Sequence, residues 1–91
     1  MQACANIIVQ GVVQGVGFRY FTEHHAIKLG LVGYVQNLYT GEVEVEVEGE
    51  RGLVDELIEI LKVGPRSGRV TNLIINWKAP EGNYRFFEIT G

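Results

Sequence analysis

The sequence predicts an α+β fold in which two helices cover one face of an antiparallel sheet. Three observations carry this expectation. In "GEVEVEVEGE", Val43, Val45 and Val47 alternate with Glu42, Glu44, Glu46 and Glu48, the period-two pattern of a strand with one buried and one wet face. Apolar residues recur at helical spacing in two other stretches, around residues 18–29 and 53–63. Each helical stretch lies between two strand-like segments, so each helix crosses over from one strand to the next.

Taken in order, residues 6–13, "NIIVQGVV", are rich in Ile and Val and read as the first strand, with Gly11 a candidate bulge. A glycine-bearing loop follows. Phe18, Phe21, His25 and Leu29 then share a helix face with Ala26, and Gly30 is a natural C-terminal stop. "LVGYVQNL", residues 31–38, is a second strand, and "YTG" supplies the turn into the Val/Glu strand. Residues 53–63, "LVDELIEILKV", form the second amphipathic helix, with acids early, Lys62 late, and Gly64-Pro65 to end it. "VTNLIINWK" is a fourth strand, and a "PEG" turn leads to a short last strand in "YRFFEI". The order is β-α-β-β-α-β with an extra C-terminal strand. Right-handed crossovers fold that order into a ferredoxin-like two-layer sandwich, a single domain over residues 1–91. Many functions share such a fold, so the activity must be read from particular residues.

The overall composition excludes several classes. A net charge of -3 argues against nucleic acid, which is bound chiefly through Lys and Arg. Strand three offers Val and Glu where an RNA-binding sheet would interleave aromatic and basic residues. The single cysteine, Cys4, has no internal disulfide partner, which fits a reducing compartment, and it has no basic neighbour to activate it. The N-terminus lacks a signal-peptide pattern, and no segment approaches the ~20 apolar residues of a membrane span. We therefore expect a cytoplasmic monomer with no membrane or nucleic-acid partner.

The stretch "VQGVGFR", residues 13–19, carries the functional signal. No acidic residue precedes Glu23, although the chain is acidic overall. The loop leaves the C-terminal end of strand one and enters a helix N-terminus, where backbone N–H groups lack partners and the dipole is positive. Gly15 and Gly17 let the backbone curl closely around a ligand. Arg19 sits in the first helical turn, where a cation opposes the dipole at a cost of roughly 0.3–1 kcal/mol. A bound anion would resolve that conflict, and the guanidinium fork suits two phosphate oxygens. The plainer reading is that the glycines shape a turn and Arg19 lies in solvent. The loop lacks the Lys and Ser/Thr of a nucleotide-binding P-loop, so a small anion is expected, without a loop ligand for magnesium. Asn37 ends strand two. That strand runs parallel to strand one through the helical crossover, so Asn37 shares its sheet edge with the loop; taken alone, an Asn near a turn is common.

"GVVQGVGFR" (11–19) resembles the first signature of the acylphosphatases, and "GYVQNLYTGEVEVEVEG" (33–49) resembles the second. "LGL" (29–31) and "GPRSGRV" (64–70) stand where that family has similar segments, so the likeness covers nearly the whole chain. Gly17 stands where many members carry a bulkier residue, Tyr34 where Trp is frequent, and Thr40 where the residue is often acidic or Asn. The basic-aromatic tail of many relatives does not follow Gly91. The resemblance implies metal-independent hydrolysis of acyl phosphates to a carboxylate and inorganic phosphate, with no cofactor. It implies that Arg19 binds phosphate, that Asn37 positions the attacking water, and that the backbone amides of Gly15, Val16, Gly17, Phe18 and Arg19 form the cradle. A non-catalytic small-anion sensor on the same fold is the alternative, and Asn37 discriminates, because a binder has no water to aim. With no linker composition at either end, a free-standing enzyme is expected rather than a domain detached from a larger carbamoyl-phosphate-using protein.

Other features have simpler explanations. His24 and His25 project about 100° apart on a helix and cannot jointly chelate an ion as i, i+4 neighbours can. The strand-three glutamates form a straight row with no loop to wrap a cation, so a solvated face is expected. Tyr20, Phe21, Tyr34 and Trp77 read as core or rim, and Tyr34 is also a candidate shield for Asn37.

Overall fold

The computed structural model describes residues 1–91. In chain order the elements are β1 (Gln2–Val12), α1 (Phe18–Lys28), β2 (Val32–Asn37), β3 (Val43–Glu50), α2 (Arg51–Val63), β4 (Arg69–Lys78) and β5 (Phe87–Ile89). The sheet order is β4-β1-β3-β2-β5. β1 pairs antiparallel with both β3 and β4, and β3 pairs antiparallel with β2. β1 and β2 therefore run parallel and end at one sheet edge. The predicted ferredoxin-like sandwich is what forms. β5 adds to β2 in parallel, which makes the five-stranded sheet mixed, with its first four strands antiparallel. The direction follows from the connection 79–86, which crosses the sheet's open face before the chain turns back along β2.

β1 begins ahead of the predicted strand because Gln2–Ala5 pair with Val47–Glu50 of β3. The bulge expected at Gly11 is present as a register shift after Gln10. A Cβ at Gly11 would collide with the Arg69 carbonyl, so glycine is required there. α2 starts at Arg51, and its first turn holds no acid. The Glu50 carboxylate instead caps the helix, accepting from the Gly52 and Leu53 amides at 3.1 and 3.3 Å.

The core lies between the sheet and the helices. Ile7, Val9, Val35, Val43, Val45 and Val47 meet Phe18 and Ala26 of α1 and Val54, Leu57, Ile58 and Leu61 of α2. α1 is rotated from the expected face. Phe18, Thr22 and Ala26 are buried, whereas Phe21, His25 and Leu29 are half-buried. Thr22 tolerates full burial because its hydroxyl donates to the Phe18 carbonyl at 2.9 Å.

The Val/Glu strand departs from expectation on its glutamate face. β3 is central in the sheet, and Glu46 and Glu48 are only 7% and 6% exposed. The 79–86 connection covers them. Glu48 accepts from the Glu81 and Gly82 amides at 3.3 and 3.0 Å. Glu46 accepts from Tyr84 at 2.7 Å, Asn6 at 3.0 Å and Lys78 at 3.1 Å. Burial alone would raise the Glu46 pKa, but the hydrogen bonds from Asn6, Tyr84 and Lys78, with the Lys78 charge, hold it below 4.5. A carboxylate whose folded pKa is depressed stabilises the fold above its unfolded pKa, and that contribution is lost as pH falls through the folded value. Equilibrium urea unfolding should therefore show stability declining below about pH 4.5, and Glu46→Gln should flatten that decline. Glu46→Ala should cost about 2 kcal/mol at pH 7, since three donors lose a charged acceptor. An unchanged urea midpoint would mean that Glu46 does not anchor the connection.

Candidate active site

The loop between β1 and α1 is shaped by two left-handed glycines, Gly15 at φ 75° and Gly17 at φ 78°. Gly17 is the N-cap of α1 and supplies no side-chain acceptor. Its carbonyl takes the first helical hydrogen bond, from the Phe21 amide at 3.0 Å. The amides up to Tyr20 precede that donor and lie ahead of the helical ladder. No acidic residue occupies the first turn, so the positive end of the helix dipole is not offset from within the chain.

Asn37 ends β2 opposite Val43 and shares the sheet face of Val35, the face that carries the helices. Because β1 and β2 are parallel, this end of β2 lies beside the glycine loop. The Asn37 Oδ1 is buried and accepts no hydrogen bond. An unmatched buried acceptor costs about 1–3 kcal/mol, so an atom in this position points to a ligand or a water. The Arg19 guanidinium makes one long contact, from Nη1 to the Gly91 carbonyl at 3.4 Å, and has no carboxylate partner within 4.0 Å. The parallel direction of β5 is what brings Gly91 to this edge.

Val13, Gly15, Gly17, Phe18, Arg19, Tyr20 and Asn37 line one cleft of about 130 Å³. That is well below the roughly 300–1,000 Å³ of sites for drug-sized ligands, and it suits a small anion with a water. No carboxylate lines it. The cleft thus brings the donor-rich helix N-terminus and the Arg19 guanidinium together with the Asn37 amide.

Of the residues expected from sequence, Gly15, Gly17, Phe18, Arg19 and Asn37 come together here. Val16 contributes its backbone to the loop, while its side chain packs on the core and toward Gly68. Val13 and Tyr20 line the cleft without having been anticipated. Val13 closes the strand pattern, and Tyr20, 70% exposed, follows Arg19 in the first helical turn. Tyr34 does not shield Asn37. It lies on the opposite sheet face against Tyr84, with ring centroids 6.1 Å apart. Burial first, then Glu44 and Glu46, push its phenol up to about 12.

The remaining reactive-looking side chains sit elsewhere. The His25 ring stacks edge-on against Phe21 at 4.6 Å, and burial, then His24 and Lys28, lower its pKa. Cys4 is buried, and desolvation followed by Glu46 and Glu48 push its thiol up to about 11, which keeps it protonated and unreactive.

Comparison with known proteins shows the family and the fold. The acylphosphatase family model matches residues 5–89. An acylphosphatase of Koribacter versatilis is 49% identical over 84 residues, covering 92% of this chain and 76% of the relative. One from Dehalococcoides mccartyi is 44% identical over 87 residues, covering 94% and 96%. The crystal structure of an acylphosphatase from Bacillus subtilis superposes with a TM-score of 0.95 at 35% identity, over 100% of both chains. No helix is long and apolar enough to cross a membrane. The chain belongs to the acylphosphatase family, whose enzymes hydrolyse acyl phosphates, and it is an enzyme of that kind.

Proposed function

We propose that the phosphoryl group of the acyl phosphate is held by Arg19 and the backbone amides of residues 15–19, and that Asn37 aims the attacking water. The observation that carries this reading is that Asn37 lines the same cleft as Arg19 while its buried Oδ1 has no partner in the protein. A binder of phosphate alone would have no use for an amide oxygen left without a partner beside an anion site, since like partial charges repel. A water between them satisfies both, donating one hydrogen to Oδ1.

The reaction asks for little acid–base chemistry. The water oxygen forms a bond to phosphorus as the bond from phosphorus to the acyl oxygen breaks, and the bonding pair leaves with the carboxylate. A carboxylate needs no general acid to depart. The amide of Asn37 is too weak a base to take the water's proton, and no carboxylate lines the cleft, so a phosphoryl oxygen receives it. Arg19 and the amides neutralise the equatorial oxygens in a site organised before substrate arrives. The remaining gain comes from positioning. Residues 1–91 act in this reading as one monomeric, cytoplasmic domain on a small-molecule acyl phosphate, with inorganic phosphate as product and without metal, cofactor, membrane or nucleic acid.

Hydrolysis of benzoyl phosphate by the purified protein in EDTA, with inorganic phosphate as competitor, tests it. Turnover unaffected by the chelator and inhibited by phosphate is the expected result. Phosphate binding without turnover would instead leave an anion sensor.

A further inference from the structure

Gln14 immediately precedes the cradle, and its side chain leaves the loop altogether. Its Nε2 donates to the Leu38 carbonyl at 2.6 Å and to the Glu42 carbonyl at 2.9 Å, so both amide hydrogens are used. Those two carbonyls bound the β2–β3 turn. Leu38 is the residue after Asn37, and its amide donates to the same Glu42 carbonyl at 2.8 Å. The Leu38 carbonyl also accepts from the Gly41 amide at 3.1 Å. One side chain thus ties the residue before Gly15 to the residue after Asn37, across a sequence separation of 24.

Such a tie matters because the other hydrogen-bonded route from the cradle to the end of β2 is longer and indirect, from Arg19 through Gly91 and Thr90 to Val35 and Gln36. The Asn37 Oδ1 has no hydrogen-bond partner in the protein, so no such bond anchors it and its placement depends on where the end of β2 holds the residue. β1 and β2 are not neighbours in the sheet, since β3 lies between them. Ladder hydrogen bonds therefore reach from the loop to Asn37 only by way of β3, whereas Gln14 makes the connection directly.

We infer that Gln14 is a positioning residue for the hydrolysis, setting the distance and direction from Asn37 to the phosphate cradle through the β2–β3 turn. The inference rests on the roles proposed above for Asn37 and the loop. A side chain of matched length that cannot donate leaves the cradle and Arg19 in place but lets the end of β2 drift. A displacement of about 1 Å in such an arrangement can cost about 100-fold in rate.

The test uses Gln14→Met, close in length and without donors, assayed on benzoyl phosphate alone and combined with Asn37→Ala. The expected result is a fall in kcat of about 10- to 100-fold, with KM and the inhibition constant of inorganic phosphate within about twofold of the parent. In the Asn37→Ala background the same substitution should change kcat by less than about threefold, because there is no longer an amide to misaim. Normal phosphate inhibition also reports that the variant is folded. If Gln14→Met does not fold, Gln14→Leu, also uncharged and without donors, carries the same expectations. Unchanged kcat, an equal loss of phosphate affinity, or a full rate loss persisting in the Asn37→Ala background would each overturn the inference. Wild-type turnover by Asn37→Ala itself would overturn the proposed role of Asn37, a failure distinct from a silent Gln14→Met in an enzyme that does need Asn37.

Discussion

Asn37→Ala should lower kcat about 1,000-fold, equivalent to about 4 kcal/mol of barrier, while the inhibition constant of inorganic phosphate stays within about twofold. The asymmetry follows from where the side chain sits. Asn37 lines the cleft, but the groups suited to holding an anion are the amides and Arg19. In the proposed arrangement the Asn37 oxygen does not hold phosphate and acts only once a water must be aimed. The folded protein should tolerate the change well. The Asn37 Oδ1 makes no hydrogen bond to the protein, so the substitution breaks none, and urea stability should hold steady to within about 1 kcal/mol. Lower activity with little change in stability is the behaviour of a group kept for function. Asn37→Asp should behave differently, losing phosphate affinity as well, since a carboxylate in this cleft would face the anion. Steady-state kinetics with phosphate inhibition separate the cases. Wild-type turnover in Asn37→Ala would refute the role given to it.

Arg19→Ala should weaken both binding and rate. Each charge-assisted hydrogen bond to a phosphoryl oxygen is worth roughly 1.5–3 kcal/mol, so the phosphate inhibition constant should rise at least tenfold and kcat/KM should fall further. Arg19→Lys should recover part of the binding, because a point charge cannot reproduce the two-pronged geometry of the guanidinium. The expected effect on stability runs against function. A cation in the first turn of α1 opposes the helix dipole, and its only polar contact in the folded chain is the 3.4 Å approach to the Gly91 carbonyl. Removing it should leave the unfolding midpoint unchanged or slightly higher, by at most about 1 kcal/mol. An Arg19→Ala enzyme with normal phosphate affinity would mean that the amides alone hold the anion.

The two halves of this site were legible in the sequence for different reasons. Arg19 stood out because its position conflicts with a local rule, a cation at a helix N-terminus with no acid before Glu23. Asn37 had no local oddity. It became informative through topology, because a helical crossover makes β1 and β2 parallel and puts their ends at one edge. Gln14 offered neither signal: a glutamine beside a glycine loop is unremarkable until its two acceptors, in a turn far along the chain, come within reach.

What the sequence by itself determined is the period of each element, the crossovers that order them, and the glycines that allow a left-handed loop at residues 15 and 17. These follow from interactions within an element or between adjacent ones. The tertiary structure alone decided which surfaces are covered. The alternation in β3 correctly separated valine from glutamate, yet it could not reveal that residues 79–86 bury Glu46 and Glu48, because alternation reports the face of a side chain and not what later lies over it. The same holds for α1, whose buried stripe turned onto Thr22 once a hydroxyl could be satisfied by the Phe18 carbonyl, and for β5, whose parallel pairing brings Gly91 to Arg19. Periodicity is a property of a few neighbouring residues. Coverage, strand direction at the sheet edge and the partner of a buried polar atom depend on residues distant in sequence, and they are fixed only when the packed layers choose among the contacts available.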